Sequence, residues 1–319
     1  MTASSINRLQ KLKLKLKPYV LPKNIYGITY HGIVEKRTFP FWERNFTELS
    51  DFQEHLKFYS KYQVLSPEEL FYYTSNQLAP KKASFFITFD DGYENNLIAA
   101  ALLSKYKMPW TLFVSTDNIT TGEYIWTIDL ALLFSFTSKT SVAYSGTNYA
   151  LGTEQNRMKA FNEIRKLIKK EPQIQRLQEL QKLQELLKVS DITVLRAKMP
   201  MFKMLNWDQV KGLDNYATIG SHGATHELMH SQQTDETINF EIKESKAAIE
   251  KQLNKPCELF AYPNGDYCDK AIESILESGY RLAFTTKHEN ASPQYDPFLF
   301  PRRDAAVNLD KLKLSLLKD

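Results

Sequence analysis

Three short stretches of the sequence hold residues able to do chemistry. The first is Thr88-Phe89-Asp90-Asp91-Gly92, two carboxylates and a glycine closing the apolar run Phe85, Phe86, Ile87, Phe89. The second is Ser221-His222-Gly223-Ala224-Thr225-His226, and the third is Phe260 to Tyr267, F-A-Y-P-N-G-D-Y. Two imidazoles and one carboxylate (His222, His226 and Asp91) make a facial set that leaves positions open for water and substrate. That is the pattern of a catalytic metal site, not of a closed structural one. Zinc suits these ligands, and iron, cobalt or manganese also fit. Neighbouring carboxylates at a strand end can point in different directions, so one can hold a metal while the other handles a proton. In the third stretch, Gly265 allows a tight turn that can aim a backbone N–H at a developing oxyanion. The first and third stretches alone have plainer readings: an acidic turn capping a helix and an ordinary proline turn.

One motif competes. His226-Glu227-Leu228-Met229-His230 matches H-E-x-x-H, the zinc signature of helical metallopeptidases. It needs a helix carrying both histidines on one face. Here that helix would begin in or just after a glycine turn, and the convincing helix starts only at about Thr234, with Ile238, Ile242, Ile249 and Leu253 inward. His230 is therefore expected on a loop.

The elements that must position these residues follow from periodicity. Phe85 to Phe89 is too short for a helix and reads as a buried strand, with Gly92 turning the chain after it. Ile25 to His31 predicts an earlier strand, Trp110 to Ser115 a later one, and Ala217 to Gly220 the strand before the histidines. Asn45 to Tyr62 has helical spacing, with His55 expected on its surface. Ser66-Pro67-Glu68-Glu69 is a capping box with proline at the first helical position, and Asn206 with Gln209 forms another. Asn95 to Tyr106 predicts a helix with Leu97, Ala101 and Leu102 inward. Strands alternating with helices argue for parallel strands and a wound or barrel-like α/β fold, whose chemistry sits at the C-terminal strand ends. From about 120 to 204 the pattern is mostly helical and poor in strands, with Leu177, Leu180, Leu183 and Leu187 in one stripe. This predicts an insertion in one domain. Cys268 to Ser278, Tyr280 to Thr286 and Phe298 to Phe300 read as a helix, a strand and a last strand-like piece.

Composition narrows the class. With 319 residues and 43% hydrophobic content, the chain can bury a sizeable core, and one large α/β domain or two small ones both fit. The net charge of +4 comes largely from Arg8, Lys11, Lys13, Lys15 and Lys17, and elsewhere acids and bases nearly balance, which argues against a nucleic-acid partner. The segment Ile6 to Lys17, within the N-terminal 1–24, reads as a basic amphipathic helix suited to an anionic membrane surface. Leu309 onward repeats the pattern. No apolar h-region follows the N-terminal basic residues, and no apolar run reaches about 18 residues. Cys257 and Cys268 lack C-x-x-C spacing and read as free thiols of a reducing compartment. These features predict a cytoplasmic protein, peripheral at the inner membrane at most.

Taken in order, T-F-D-D-G (Thr88 to Gly92), S-H-x-x-x-H (Ser221 to His226) and Y-P-x-G (Tyr262 to Gly265) resemble the polysaccharide deacetylases, the NodB homology domain of carbohydrate esterase family 4. The lead-in Met204 to Leu213 resembles the family's helix before its histidine motif. The resemblance spans about residues 25–303 outside the insertion. It implies a single domain over 1–319 with a distorted TIM-like (β/α)7 barrel of NodB type and a helical insertion at about 120–204. It also implies metal-dependent de-N-acetylation of amino sugars, with Asp90 as general base and Asp91, His222 and His226 as ligands of a divalent ion, foremost Zn²⁺, with cobalt, manganese, iron or nickel as alternatives. Two family features are missing: the arginine before the proline motif, where Ala261 and Tyr262 stand, and the C-terminal L-x-x-H that supplies the acid. The biofilm poly-N-acetylglucosamine deacetylase branch resembles this chain more closely. Its early Y-H motif is matched by Tyr30-His31, which makes His31 the acid, with His288 as fallback. Its P-R element is matched by Pro301-Arg302, and Arg302 is then a candidate to orient Asp90. Asn264 and Tyr262 complete the oxyanion and substrate set. The implied partner is an N-acetylated glycan or lipid-linked sugar. A zinc peptidase built on His226, Glu227 and His230, and a catalytically inactive glycan-binding module, are the alternatives.

Overall fold

The computed structural model describes residues 21–39, 42–189, 191–291 and 295–317. The amphipathic stretch Ile6 to Lys17 lies outside them. Eight parallel strands form the main sheet: β1 (Ile25–Tyr30), β2 (Gln63–Val64), β3 (Ser84–Phe89), β4 (Thr111–Val114), β5 (Thr218–Ser221), β6 (Leu259–Ala261), β7 (Leu282–Phe284) and β8 (Arg303–Asp304). Their order is β7-β6-β5-β4-β3-β1-β8, with β2 pairing beside the start of β3. The stretch before β8 closes the ring. Phe300 N donates to Ala283 O and Thr285 N to Phe300 O beside β7, and Arg303 and Asp304 then pair with β1. One run of chain, residues 297–304, thus joins both edges of a curled sheet into the distorted barrel expected from the sequence.

Strand alternation divides the residues between two layers. Tyr26, Ile28 and Tyr30 of β1, Phe85, Ile87 and Phe89 of β3, and Leu112 and Val114 of β4 face the helices and belong to the large outer core. Ile25, Phe86, Phe113, Leu259, Leu282, Phe284 and Phe300 face inward and fill the barrel. Phe86 stacks on Phe284 at 5.3 Å with rings 7° from parallel. Fully burying each such ring contributes about 1.5–3 kcal/mol. Where the closing run crosses β1, there is no room for a side chain. A Cβ on Gly27 would stand 2.4 Å from the Pro301 carbonyl oxygen and 3.1 Å from Arg302 Cγ.

The helices largely follow their caps. Ser66 and Glu69 form the expected capping box for helix Pro67–Ser75, and Asn206 with Gln209 does the same for Trp207–Leu213. Two expectations need correction and a third gains detail. Helix Asn96–Tyr106 buries Asn96, Ala99, Ala100 and Leu103, while Leu97 and Ala101 are exposed, so its inner face is rotated from the predicted one. The insertion is not all helix: Ser141–Tyr144 and Thr147–Ala150 form an antiparallel hairpin. In its leucine stripe, Leu183 and Leu187 are buried but Leu177 is exposed.

Residues Ile125 to Met204 build a second core, centred on Leu130, Phe134, Phe161, Ile164, Leu183 and Phe202. At its exit it is tied to the strand end that carries Asp90 and Asp91: Leu205 N donates to Gly92 O at 2.9 Å and Glu94 N to Lys203 O at 2.7 Å. The C-terminal run that repeats the amphipathic pattern forms helix Leu309–Leu316, and it buries Leu312 and Leu316 in the outer core with Phe52 and Leu56. No helix among the described residues is long and apolar enough to cross a membrane.

Candidate active site

Strand alternation carries the chemistry to the barrel mouth. After Ser84, Phe86 and Thr88 on β3, the next inward position is Asp90. After Gly220 on β5 it is His222, and after Thr29 on β1 it is His31. The register of β1 with β3 pairs Tyr30 with Phe89, so His31 and Asp90 leave the sheet at the same level. Asp90 N makes the last rung of that ladder to Tyr30 O at 2.9 Å. The chain then turns through Asp91 at φ +77 and Gly92 at φ +87. A left-handed aspartate is a minor strain, and it swings the second carboxylate off the line of the first.

Asp91 thereby meets the histidines. His222 Nε2 and His226 Nε2 stand 3.4 and 3.2 Å from Asp91 Oδ1. That oxygen has no partner in hydrogen-bond geometry, although it is buried. Ligand atoms of the three residues all lie within 4.8 Å of one another, and all three residues are buried. His222 Nδ1 lies 2.7 Å from the Ala261 carbonyl, which can only accept, so Nδ1 carries the proton and the Nε2 lone pair faces Asp91. An orphaned carboxylate oxygen beside imidazole lone pairs is what a divalent cation requires. The loop between the histidines is held from below by Glu241, whose carboxylate accepts from Thr225 N at 3.0 Å and Thr225 Oγ1 at 2.6 Å. Burial raises the Glu241 carboxyl to about 7.

Asp90 has a different environment. Arg302, on the closing run, donates Nη1 to Asp90 Oδ1 at 2.7 Å and Nη2 to Oδ2 at 2.8 Å. The same guanidinium reaches Thr88 Oγ1 and the Thr285 carbonyl, and it lies between the rings of Phe113 and Phe284. Burial alone would raise the Asp90 carboxyl. Arg302, then His222, outweigh it and hold the carboxyl below its usual range. For Asp91 burial is likewise outweighed, by His222 and His226, and the carboxyl sits well below the usual range.

Asp90, Asp91, His222, His226, His31 and Asn264 line one cleft enclosing about 110 Å³. The sequence model of the polysaccharide deacetylases matches residues 77–283, a span that begins just before β3 and ends on β7. The chain belongs to the polysaccharide deacetylase family.

Solved structures agree in fold. The deacetylase PplD of Streptococcus pyogenes, in complex with acetate, is 19% identical, with a TM-score of 0.61 over 93% of this chain and 100% of that one. The polysaccharide deacetylase BC0361 of Bacillus cereus is 17% identical, with a TM-score of 0.55 over 92% of this chain and 69% of that one. IcaB of Ammonifex degensii is 14% identical, with a TM-score of 0.55 over 93% of this chain and 99% of that one. No curated protein sequence matches.

His31 is half-buried in the cleft, and its Nδ1 is buried without a protein partner. Asn264 is exposed and lines the cleft at φ +57, its side chain turned to Asp266 and its carbonyl accepting from Thr286 Oγ1. Tyr262 is a correction. Strand alternation sends its ring outward between Phe260 and Tyr267, and its N–H is spent on Phe284 O, so it does not reach the cleft. His288 is exposed and away from the cleft, which removes it as a fallback acid.

His230 stands outside the Asp91, His222 and His226 group, and residues 226–230 are not helical. Glu227 of the H-E-x-x-H match is buried in an ion pair with Arg176, so the peptidase reading has neither its helix nor a free base. His55 is not on the surface. It is fully buried with Nδ1 2.9 Å from the Tyr30 hydroxyl, and burial lowers its pKa to about 4. Tyr93, directly after Gly92, was not singled out, yet it lines the cleft; burial, then the Asp91 charge beside it, pushes its phenol well up.

Proposed function

We propose that the protein is a metal-dependent de-N-acetylase of an amino-sugar glycan or its lipid-linked precursor. The observation that carries this is the pairing of two differently held carboxylates in one cleft: Asp90 clamped by a guanidinium, Asp91 open toward two imidazoles. Asp91, His222 and His226 would hold the ion, with zinc first among cobalt, manganese, iron and nickel. Such an ion, when bound, polarises the acetyl carbonyl and makes water more acidic.

The chain's own groups do the rest. Asp90 is ionised at neutral pH and takes the proton of the attacking water. Each of its oxygens uses one lone pair on Arg302 and keeps another for that proton. Arg302 fixes the plane of the carboxylate, so the acceptor does not need to be oriented during the reaction. The Asn264 backbone N–H is the proposed donor to the oxyanion. His31 protonates the departing amine, because expulsion of an amide anion is prohibitive. The unpartnered Nδ1 of His31 in the cleft supports that role.

The test is acetate release from a panel of N-acetylated glycans and lipid-linked amino sugars, with the metal content measured in the same preparation. Release that vanishes on metal removal and returns with zinc is the expected result. Metal-loaded protein that releases no acetate from any member would end this reading. We further propose a cytoplasmic location with peripheral membrane contact through Ile6 to Lys17. Unchanged co-sedimentation with anionic vesicles after deletion of residues 1–17 would remove that contact.

A further inference from the structure

Two more charged groups line the cleft, and the chemistry above uses neither. Arg44 comes from the loop before Phe46, and Arg165 from the last turn of insertion helix Glu154–Ile168. Packing between loop and helix brings them to one wall. Trp42 meets Phe161 edge-on at 5.1 Å, Arg44 Nη1 lies 3.4 Å from Asn162 Oδ1, and the Arg165 guanidinium lies 5.6 Å from the centre of the Phe161 ring. Burial, then the charge of Arg44, lowers the Arg165 pKa to about 10.

Neither guanidinium is in an ion pair among the described residues, and Arg165 Nε is buried with no hydrogen-bond partner. Three other arginines of the insertion and the cleft are paired with acids. Arg176 holds Glu227, Arg196 holds Asp129, and Arg302 holds Asp90. The acids near the wall are already engaged. Asp90 is taken by Arg302 and Asp91 by the histidines, while Asp304 acts on Arg44 only through its field and accepts from Ala306 N.

We propose that this wall is a subsite for an anionic substituent of the substrate, so that the N-acetylated sugar taken by the cleft carries a phosphate or carboxylate close to the reacting residue. The proposal rests on the deacetylase reading and names the substrate class within it. Two like charges facing one cleft repel one another, half-buried Arg165 is also partly desolvated, and a bound anion relieves both costs. A guanidinium fork matches two oxygens of a phosphate or a carboxylate, and two forks match a group with several such oxygens. A neutral glycan offers only hydroxyls, which leave the repulsion in place. Trp42 and Phe161 line the same cleft beside the arginines.

The experiment compares kcat/KM of the metal-loaded protein on three N-acetyl substrates: a neutral N-acetylglucosamine oligomer, the same oligomer bearing a uronic acid, and a soluble short-chain prenyl-diphosphate N-acetylglucosamine. The expected result is a preference of tenfold or more for one charged substrate over the neutral one. Whichever charged arm wins identifies the source of the anion. In R44Q/R165Q that ratio should collapse toward one, mainly through KM. A wild-type ratio near one, or a ratio unchanged in the variant, overturns the subsite while leaving deacetylation standing.

Calorimetric titration with inorganic phosphate is the second measurement. Binding at least tenfold weaker in R44Q/R165Q is expected, and equal binding counts against the subsite. This readout does not depend on turnover, so protein that releases no acetate at all would refute the function and still decide the subsite. Thermal melting checks the fold of the double variant. If it fails, the exposed Arg44 is tested alone as R44Q, with the same two outcomes.

Discussion

On the barrel side of the cleft the neighbouring side chains fix both carboxylates in place. On the insertion side two guanidiniums line the cleft with no acidic partner among the described residues. Asp90 and Arg302 form a fork-to-fork pair, and Asp91 sits between two imidazoles. These groups come from strand ends, where alternation and register fix direction to within a residue. Arg44 and Arg165 come from a loop and from a helix of the second core, joined through Trp42 and Phe161. The difference separates two tasks. A reacting group must be oriented before the substrate arrives, so its charge is satisfied by the protein. A group that recognises substrate must be left something to satisfy.

The contrast can be broken from the barrel side first. Removal of the metal by a chelator should abolish acetate release, and His222→Ala should lose both the ion and the activity, as read by metal analysis beside the assay. Retention of metal in His222→Ala would show that the ion sits elsewhere. Asp90→Asn keeps the shape and removes the proton acceptor. It should cost about 10⁴-fold on an N-acetyl sugar and on an activated aryl acetate alike, with the metal retained. His31→Ala should cost roughly 10³-fold on the N-acetyl sugar and far less on the aryl acetate, whose leaving group needs no proton. Equal losses on the two substrates would exclude His31 as the acid.

Arg302→Gln is the smallest of these effects and the sharpest test of the comparison. It should cost about 10²-fold, the scale of a misplaced reacting group. The pH profile carries the mechanism. Arg302 holds the Asp90 carboxyl low against the effect of burial. Without it the carboxyl rises, less of the base is ionised at acidic pH, and the acid limb of kcat/KM moves to higher pH. An acid limb that does not move would mean that Arg302 is structural only.

Much of the barrel wall was legible in the sequence because it obeys period two. In S-F-F-I-T-F-D-D-G the residues Phe85, Ile87 and Phe89 go to the helices, while Ser84, Phe86, Thr88 and Asp90 go inside. The same rule sends Tyr262 outward, and applying it there would have kept Tyr262 out of the substrate set. His55 shares the helical stripe of Phe52, Leu56 and Tyr59, so its burial was visible in spacing. Its polar type argued against burial, and the Tyr30 hydroxyl that satisfies it comes from a strand 25 residues earlier. The insertion hairpin also left a trace: Val142, Tyr144 and Tyr149 point to one side around Ser145-Gly146, both left-handed as a two-residue hairpin turn demands. The helical composition around it hid that signal. Nothing local marks Arg44 or Arg165, since loop and helix arginines are ordinarily solvated. Only the packing of Trp42 on Phe161 sets them in the cleft.

The run that closes the barrel also sets when the site comes into being. The guanidinium that clamps Asp90 lies 212 residues after it in the chain. At ~5–20 residues per second of synthesis, a ribosome needs roughly 10–40 s after making Asp90 before it makes Arg302. Until then the sheet cannot close its ring, and Asp90 lacks the guanidinium that holds it. The orientation of the base is therefore the last part of the site to be set, since His31, Asp91, His222, His226 and Asn264 all precede Arg302 in the chain.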